Sequence, residues 1–301
     1  MSEALRPMST GELLDRTFRL YKRHFLLFVG LGLPAPAALL LLILLFTVVD
    51  TLPAAASAVA VVAIALCLVG LLFGFALTTA ATVRGVSALH LCKPTNIRQC
   101  YAELRGHYWR IVSVFLSVTI RMVGGSFLLY LLFFMIGAMG AAAASMLGTA
   151  GVVLGVTLAI AAFVVGILSA LTLFVRYSMA VQACVVEDIP PAQAIKRSVF
   201  LAKGSRNRIL TIYVLFSVIS STVMSGLFVL AGMAGALFRS PQAISVLMSL
   251  AFFLALLLTM PLATVALSLE YYDSRVRKEG FDLQLLIASL ETPAAKIAVA
   301  P

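Results

Sequence analysis

The stretch TAGVVLGVTLAIAAFVVGILSALTLFV, residues 149–175, carries no charged side chain and ends against Arg176. A helix needs about 20 apolar residues to cross the hydrocarbon core of a bilayer. Lipid offers the backbone no hydrogen-bond partners, so a spanning segment is a helix or part of a closed barrel. The short alternating pattern of a barrel strand is missing, which leaves the helix. Five further runs of the same kind lie at 25–49, 54–83, 111–140, 209–237 and 243–269. Several exceed the minimum, so tilt or extension past the lipid is expected.

The composition supports this reading. The chain has 301 residues, 62% of them hydrophobic and 11% charged, with a mean hydropathy of +1.09. Soluble domains carry about a quarter charged residues. A water-soluble fold of this length has no interior large enough for so much apolar side chain. The formal charge of +10 is spread in small clusters beside the apolar runs. That suits anionic lipid headgroups, and no basic run interleaved with aromatics offers a nucleic-acid surface. Cys67, Cys92, Cys100 and Cys184 show no CxxC or Cys/His spacing, so neither zinc nor redox chemistry is indicated, and no cofactor is expected. Glu3, Glu12 and Asp15 interrupt any cationic leader ahead of the first run, which is itself too long for a signal peptide.

Charge placement orients the spans. One set of connections holds Arg6, Arg16, Arg19, Lys22 and Arg23; Arg84, Lys93, Arg98, Arg105 and Arg110; Arg176, Lys196, Arg197, Lys203, Arg206 and Arg208; and Arg275, Arg277, Lys278 and Lys296. The opposite set holds Asp50, nothing charged between Met135 and Thr149, and Arg239. By the positive-inside rule the rich set is cytoplasmic, and both termini with it. The expected architecture is an all-α integral membrane protein with six transmembrane helices arranged as three hairpins. A single membrane domain covers 1–292, and a disordered tail covers 293–301.

Each hairpin is expected to follow a short cytoplasmic-side amphipathic helix. Sliding the chain by 181 sets Arg16 over Arg197, Thr17 over Ser198, Leu20 over Leu201 and Lys22 over Lys203. Sliding by 83 sets Leu14 over Ile97, Phe18 over Tyr101 and His24 over His107. Identities are few, but the physical pattern recurs. Ser9 to Glu12 form a capping box, and Asp188 ahead of Pro190 and Pro191 marks a helix start. Leu13, Leu14, Phe18 and Tyr21 fall at helical spacing, as do Ile195, Val199 and Ala202. Such helices either lie in the inner headgroup layer or extend the spans into water. In the first case Arg16, Lys22, Arg23, Arg105, Lys203 and Arg206 are headgroup contacts. Gly280 ends the last long helix, and a short apolar one is expected over 283–290.

Few residues offer chemistry. If the third span begins near Ile111, Arg121 lies about 15 Å along its axis, where an arginine costs at least about 2.5–3.5 kcal/mol on insertion scales. Either it is a counter-ion for an anionic headgroup or solute, or the span begins later and the side chain snorkels to the interface. Arg84 and Arg176 end the second and fourth spans, and Glu270 ends the sixth, so Glu270 is expected to pair with one of them. Glu187 and Asp188 are expected to cap a helix rather than to perform acid–base chemistry. His24 and His107 suit interfacial anchors better than ligands. The pairs Gly70/Gly74 and Gly151/Gly155 allow close helix approach. Pro34 and Pro36 break the first span and Pro261 bends the last. No phosphate-binding lysine loop, zinc-protease motif or nucleophile elbow occurs.

Three segments carry a resemblance: 6–25, RPMSTGELLDRTFRLYKRHF; 186–204, VEDIPPAQAIKRSVFLAKG; and 271–286, YYDSRVRKEGFDLQLL. Together they resemble the bacterial membrane-domain family named for its fusion to glycerophosphoryl diester phosphodiesterases. The resemblance implies a multi-span protein of the bacterial cytoplasmic membrane. It transfers no catalytic residue, because the phosphodiesterase barrel is a separate soluble domain for which this chain has no room. The leading expectation is a non-enzymatic scaffold, anchor or subunit for a membrane or soluble protein partner. A transporter or binder of lipid or a small anionic solute comes second, and a lipid-acting enzyme third.

Overall fold

The computed structural model describes residues 7–49, 57–90, 93–145, 148–238, 240–281 and 283–284. Among them every regular element is helical: α1 (Thr10–Arg23), α2 (Phe25–Gly32), α3 (Pro34–Val49), α4 (Ser57–His90), α5 (Ile97–Ala102), α6 (Tyr108–Thr119), α7 (Gly125–Ser145), α8 (Gly148–Tyr177), α9 (Ala180–Glu187), α10 (Pro191–Ala202), α11 (Arg206–Phe238) and α12 (Pro241–Glu279). A π-helical turn, Ile120–Gly124, joins α6 to α7. Five helical stretches are long and apolar enough to cross a membrane. A sixth is added if α2 and α3, which meet at a 46° bend, count as one span.

Local chemistry sets the boundaries. The Glu12 backbone N–H donates to Ser9 Oγ at 3.2 Å, and the Ser9 N–H donates to Glu12 Oε2 at 2.8 Å, which closes the capping box before α1. The bend between α2 and α3 falls at Pro34 and Pro36, neither of which has an N–H to give. The N–H of Ala35 between them donates to Thr78 Oγ1 on α4 at 3.2 Å. Gly280, at φ 61°, ends α12 in the left-handed conformation that glycine adopts without strain. One boundary differs from expectation. Asp188 caps a helix, but as the C-cap of α9 at φ 57° rather than as the start of α10, whose N-cap is Pro190 with no side-chain bond. Arginines occupy the Glu187 and Asp188 carboxylates instead. The helix expected over 283–290 lies almost wholly outside the described residues, as does the tail at 293–301.

The molecule has two tiers. Its buried core gathers at the cationic end, where α1, α2, α9 and α10 meet the ends of α4, α6, α11 and α12. There α9 is buried from Ala180 to Val185, and α12 is buried on all faces from Val265 to Ser274. The far halves of the long helices turn Val62, Leu66, Phe134, Ile160, Leu230 and Leu237 outward. A soluble monomer rarely exposes apolar surface on that scale, and a bilayer covers it at no cost.

In the lipid tier α3 runs beside α4, α7 beside α8 and α11 beside α12. Small residues fix the registers. A Cβ on Gly155 would lie 2.7 Å from Ala141 Cα, and one on Gly137 would lie 3.1 Å from Ala159 Cα. The first expected glycine pair is used only at Gly74, which meets the Pro34 carbonyl; nothing lies within 4 Å of a Cβ on Gly70. The α7–α8 pair joins the remainder chiefly at the cationic end of α8, where Phe174 meets Tyr213 edge-on at 4.1 Å between ring centroids.

Candidate functional site

Among the described residues, and besides the exposed Arg19–Asp15 pair on α1, three ion-pair clusters stand at the cationic end. In the first, Arg208 at the start of α11 places Nε 2.7 Å from Glu270 Oε2 and Nη1 2.5 Å from Asp273 Oδ2. Both carboxylates are 0% exposed and the guanidinium 14%. The Glu270 contact is an ion pair without hydrogen-bond alignment. Arg277 Nε also reaches Asp273 Oδ2, at 2.7 Å. The Met8 backbone closes this cluster: its N–H donates to Asp273 Oδ1 at 2.6 Å, and its carbonyl accepts from Arg277 Nη2 at 2.6 Å.

This corrects the expected pairing of Glu270 with Arg84 or Arg176. The cause is register. Folding α11 onto α12, in a register held by Gly235 against Ile244, brings the neighbourhood of Arg208 level with Glu270. Arg84 faces a cavity described below, and the Arg176 side chain is exposed.

In the second cluster Arg197 of α10 bonds Glu187 through Nε at 2.9 Å and Glu279 through Nη2 at 2.7 Å. Burial acts to lower the Arg197 pKa, but the hydrogen bonds and charges of Glu279 and Glu187 outweigh it and raise the value. Arg275 joins Glu279 at 3.2 Å and lies 4.0 Å over the Phe281 ring, and the Tyr271 hydroxyl donates to Glu187. In the third cluster Arg110 pairs with Asp188, with His107 Nε2 3.8 Å from the same carboxylate. Glu187, Asp188, Glu270, Asp273 and Glu279 are thus all engaged by arginine.

A cavity of about 600 Å³ opens where α4, α5 and α12 meet. Arg84 and Ser87 of α4, Lys93, Thr95, Gln99, Glu103, Tyr272 and Arg275 line it. Arg275 is already neutralised by Glu279 and Glu187, which leaves Arg84 and Lys93 facing Glu103. Arg84 Nε is buried and has no hydrogen-bond partner among the described residues. Tyr272 forms a rigid wall, its hydroxyl donating to Ser87 Oγ at 2.8 Å and its ring stacked on His90 at 4.7 Å. Beside the cavity Thr95 Oγ1 lies 3.2 Å from Cys100 Sγ. Burial pushes the Cys100 thiol up, which disfavours the thiolate a nucleophile requires.

Arg121 stands apart from this cavity. It lies in the π-turn, exposed, with Nη1 donating to the Ser117 carbonyl at 2.9 Å, so its side chain runs back toward the cationic end. The contacts of Gly137 with Ala159 and of Gly125 with Leu173 carry the α7–α8 register on, setting Arg121 level with Arg176. That is where the apolar run of α8 ends, so the geometry favours the snorkelling reading. Among the expected headgroup contacts, Lys22, Arg23, Arg105, Lys203 and Arg206 are exposed, while Arg16 is half-buried with Nη1 3.7 Å from Met8 Sδ.

The sequence reading overlooked Lys93, Tyr272, Arg208, Asp273 and the Glu187–Arg197 pair. The signal was present in α12, where Glu270, Asp273 and Arg277 share one face at i, i+3, i+7, and Tyr271, Arg275 and Glu279 share another. Comparison with models of known families, with curated proteins and with solved structures gives no significant match. The fold itself defines a class: a multi-pass, all-α membrane protein with a densely ion-paired cationic end.

Proposed function

We propose that the chain is a six-span, three-hairpin protein of the bacterial cytoplasmic membrane, with both termini inside, that binds an anionic solute or lipid headgroup in the Arg84 cavity without transforming it. The observation that carries this is Arg84 Nε, a buried donor lacking a partner among the described residues on the wall of a polar cavity. Buried polar groups are nearly always satisfied, and leaving one unpaired costs on the order of 1–3 kcal/mol. An oxyanion in the cavity would meet the Arg84 guanidinium, whose unsatisfied Nε leaves it free to turn toward the ligand, with Lys93 adding charge and Thr95 and Gln99 further hydrogen bonds. Among the described residues Glu103 is the one carboxylate lining the cavity, and the cationic side chains across from it suit binding of an anion. Charge asymmetry supports the orientation, and the segment resemblance supports the bacterial membrane.

Inorganic phosphate serves as the first probe. Added to purified protein, it is expected to raise Tm in a saturable way, and Arg84→Gln is expected to abolish the rise at equal salt. An equal rise in the variant refutes the proposal.

A second reading, a subunit for a membrane partner, is favoured by the α7–α8 pair, whose outward faces carry Phe127, Leu131, Phe134, Val153 and Ile160 exposed. Stoichiometric co-purification of a protein lost on replacing those side chains would move the assignment there.

A further inference from the structure

The π-turn and the groove beneath it have no part in the Arg84 cavity. Met122, Val123 and Ser126 on one side and Ile167, Leu171 and Phe174 on the other enclose an apolar groove of about 440 Å³ between the start of α7 and the end of α8. Val123 and Leu171 are exposed along it. Arg121 precedes the groove by one residue, and its guanidinium is drawn away from it, toward the cationic end, by the bond to the Ser117 carbonyl. The arrangement therefore has a cation at headgroup level and an apolar channel running from it toward the bilayer centre. The π-turn makes this possible. It widens the helix by one residue, and such insertions shift a side chain's direction without ending the helix. Arg176 lies level with Arg121 on α8 and is exposed.

We propose that this groove is a specific site for one anionic phospholipid of the leaflet on the cationic side, its phosphate on Arg121 and one acyl chain between α7 and α8. The lipid is favoured over a soluble anion because the groove under the cation is lined by hydrocarbon. It is favoured over a protein helix because the groove is short and ends in a charge. A zwitterionic lipid offers the same chain but no net charge for Arg121.

The test uses the full chain in nanodiscs of phosphatidylcholine doped with phosphatidylglycerol, followed by native mass spectrometry. The wild type is expected to retain one phosphatidylglycerol per chain in preference to phosphatidylcholine. Arg121→Gln is expected to lower that retention about fivefold, the factor one interfacial cation supplies. Leu171→Trp, which fills the groove and leaves the cation in place, is expected to lower it comparably. Arg84→Gln is expected to leave it unchanged, which separates this site from the cavity. Equal retention of phosphatidylcholine by the wild type overturns the proposal, as does undiminished retention by Arg121→Gln. Loss on Arg84→Gln with none on Arg121→Gln assigns the lipid to the cavity and overturns it as well.

Discussion

Arg208 neutralises two fully buried carboxylates at once, and the consequences of removing it follow from that count. With methionine in its place Glu270 loses its counter-charge, and Asp273 keeps only Arg277. Breaking a buried pair from one side costs about 3–5 kcal/mol, because an uncompensated charge remains. Arg208→Met is therefore expected to lower the unfolding midpoint in detergent sharply. Arg208→Met combined with Glu270→Gln is expected to recover much of the loss. A double variant no more stable than the single one would show that the Glu270 pair carries little of the effect. The partner was available in the sequence. Equating the inner ends of returning helices pointed to Arg84 and Arg176, whereas folding the last hairpin about its own turn points to the Arg208 neighbourhood. Cations at the ends of helices are visible in a sequence; which of them share a level depends on turn position and on small-residue contacts such as Gly235 with Ile244.

At the scale of elements, the same register argument separates two glycine stripes that look alike in sequence. Gly155 meets the backbone of Ala141, and a larger side chain there must drive α7 from α8. Overpacking of this kind costs about 1–3 kcal/mol. Gly155→Leu is expected to speed backbone hydrogen exchange in α7 and α8 while leaving the Arg208 cluster protected, since the pair joins the bundle mainly at one end. Gly70→Leu is expected to change exchange little, because open space surrounds that position. Apolar runs, caps and proline breaks were legible because each is decided within a few residues. The π-turn was not, since inserting one residue into a helix leaves no mark on hydropathy. Nor was the role of Glu187 and Asp188, which depends on arginines brought in from α6, α10 and α12.

For the whole molecule, α12 sets the dimensions. Its 39 residues span about 58 Å at 1.5 Å per residue, against roughly 30 Å for the hydrocarbon core. Much of it stands outside the lipid as the post around which the cationic tier is built. Orientation is testable on intact cells. With a membrane-impermeant thiol reagent, Ser240→Cys is expected to label directly and Lys203→Cys only after permeabilisation. Cys100 and Cys184 are buried and contribute little background. Labelling of Lys203→Cys on intact cells would invert the topology.

The clasp of Met8 by Asp273 and Arg277 also bears on how the protein is made. The two sides of that contact lie 265 residues apart, and the Tyr21 hydroxyl likewise waits for the Leu258 carbonyl. At ribosomal speeds the interval is roughly tens of seconds. Throughout it α1 has emerged and its docking post has not. On the proposed orientation, an amphipathic helix bearing Lys22 and Arg23 is expected to wait on the anionic surface of the membrane into which the rest of the chain is being threaded. Helix α12, made long after α1 has emerged, is then the helix that locks it, and a nascent chain truncated before α12 is expected to leave α1 on the lipid.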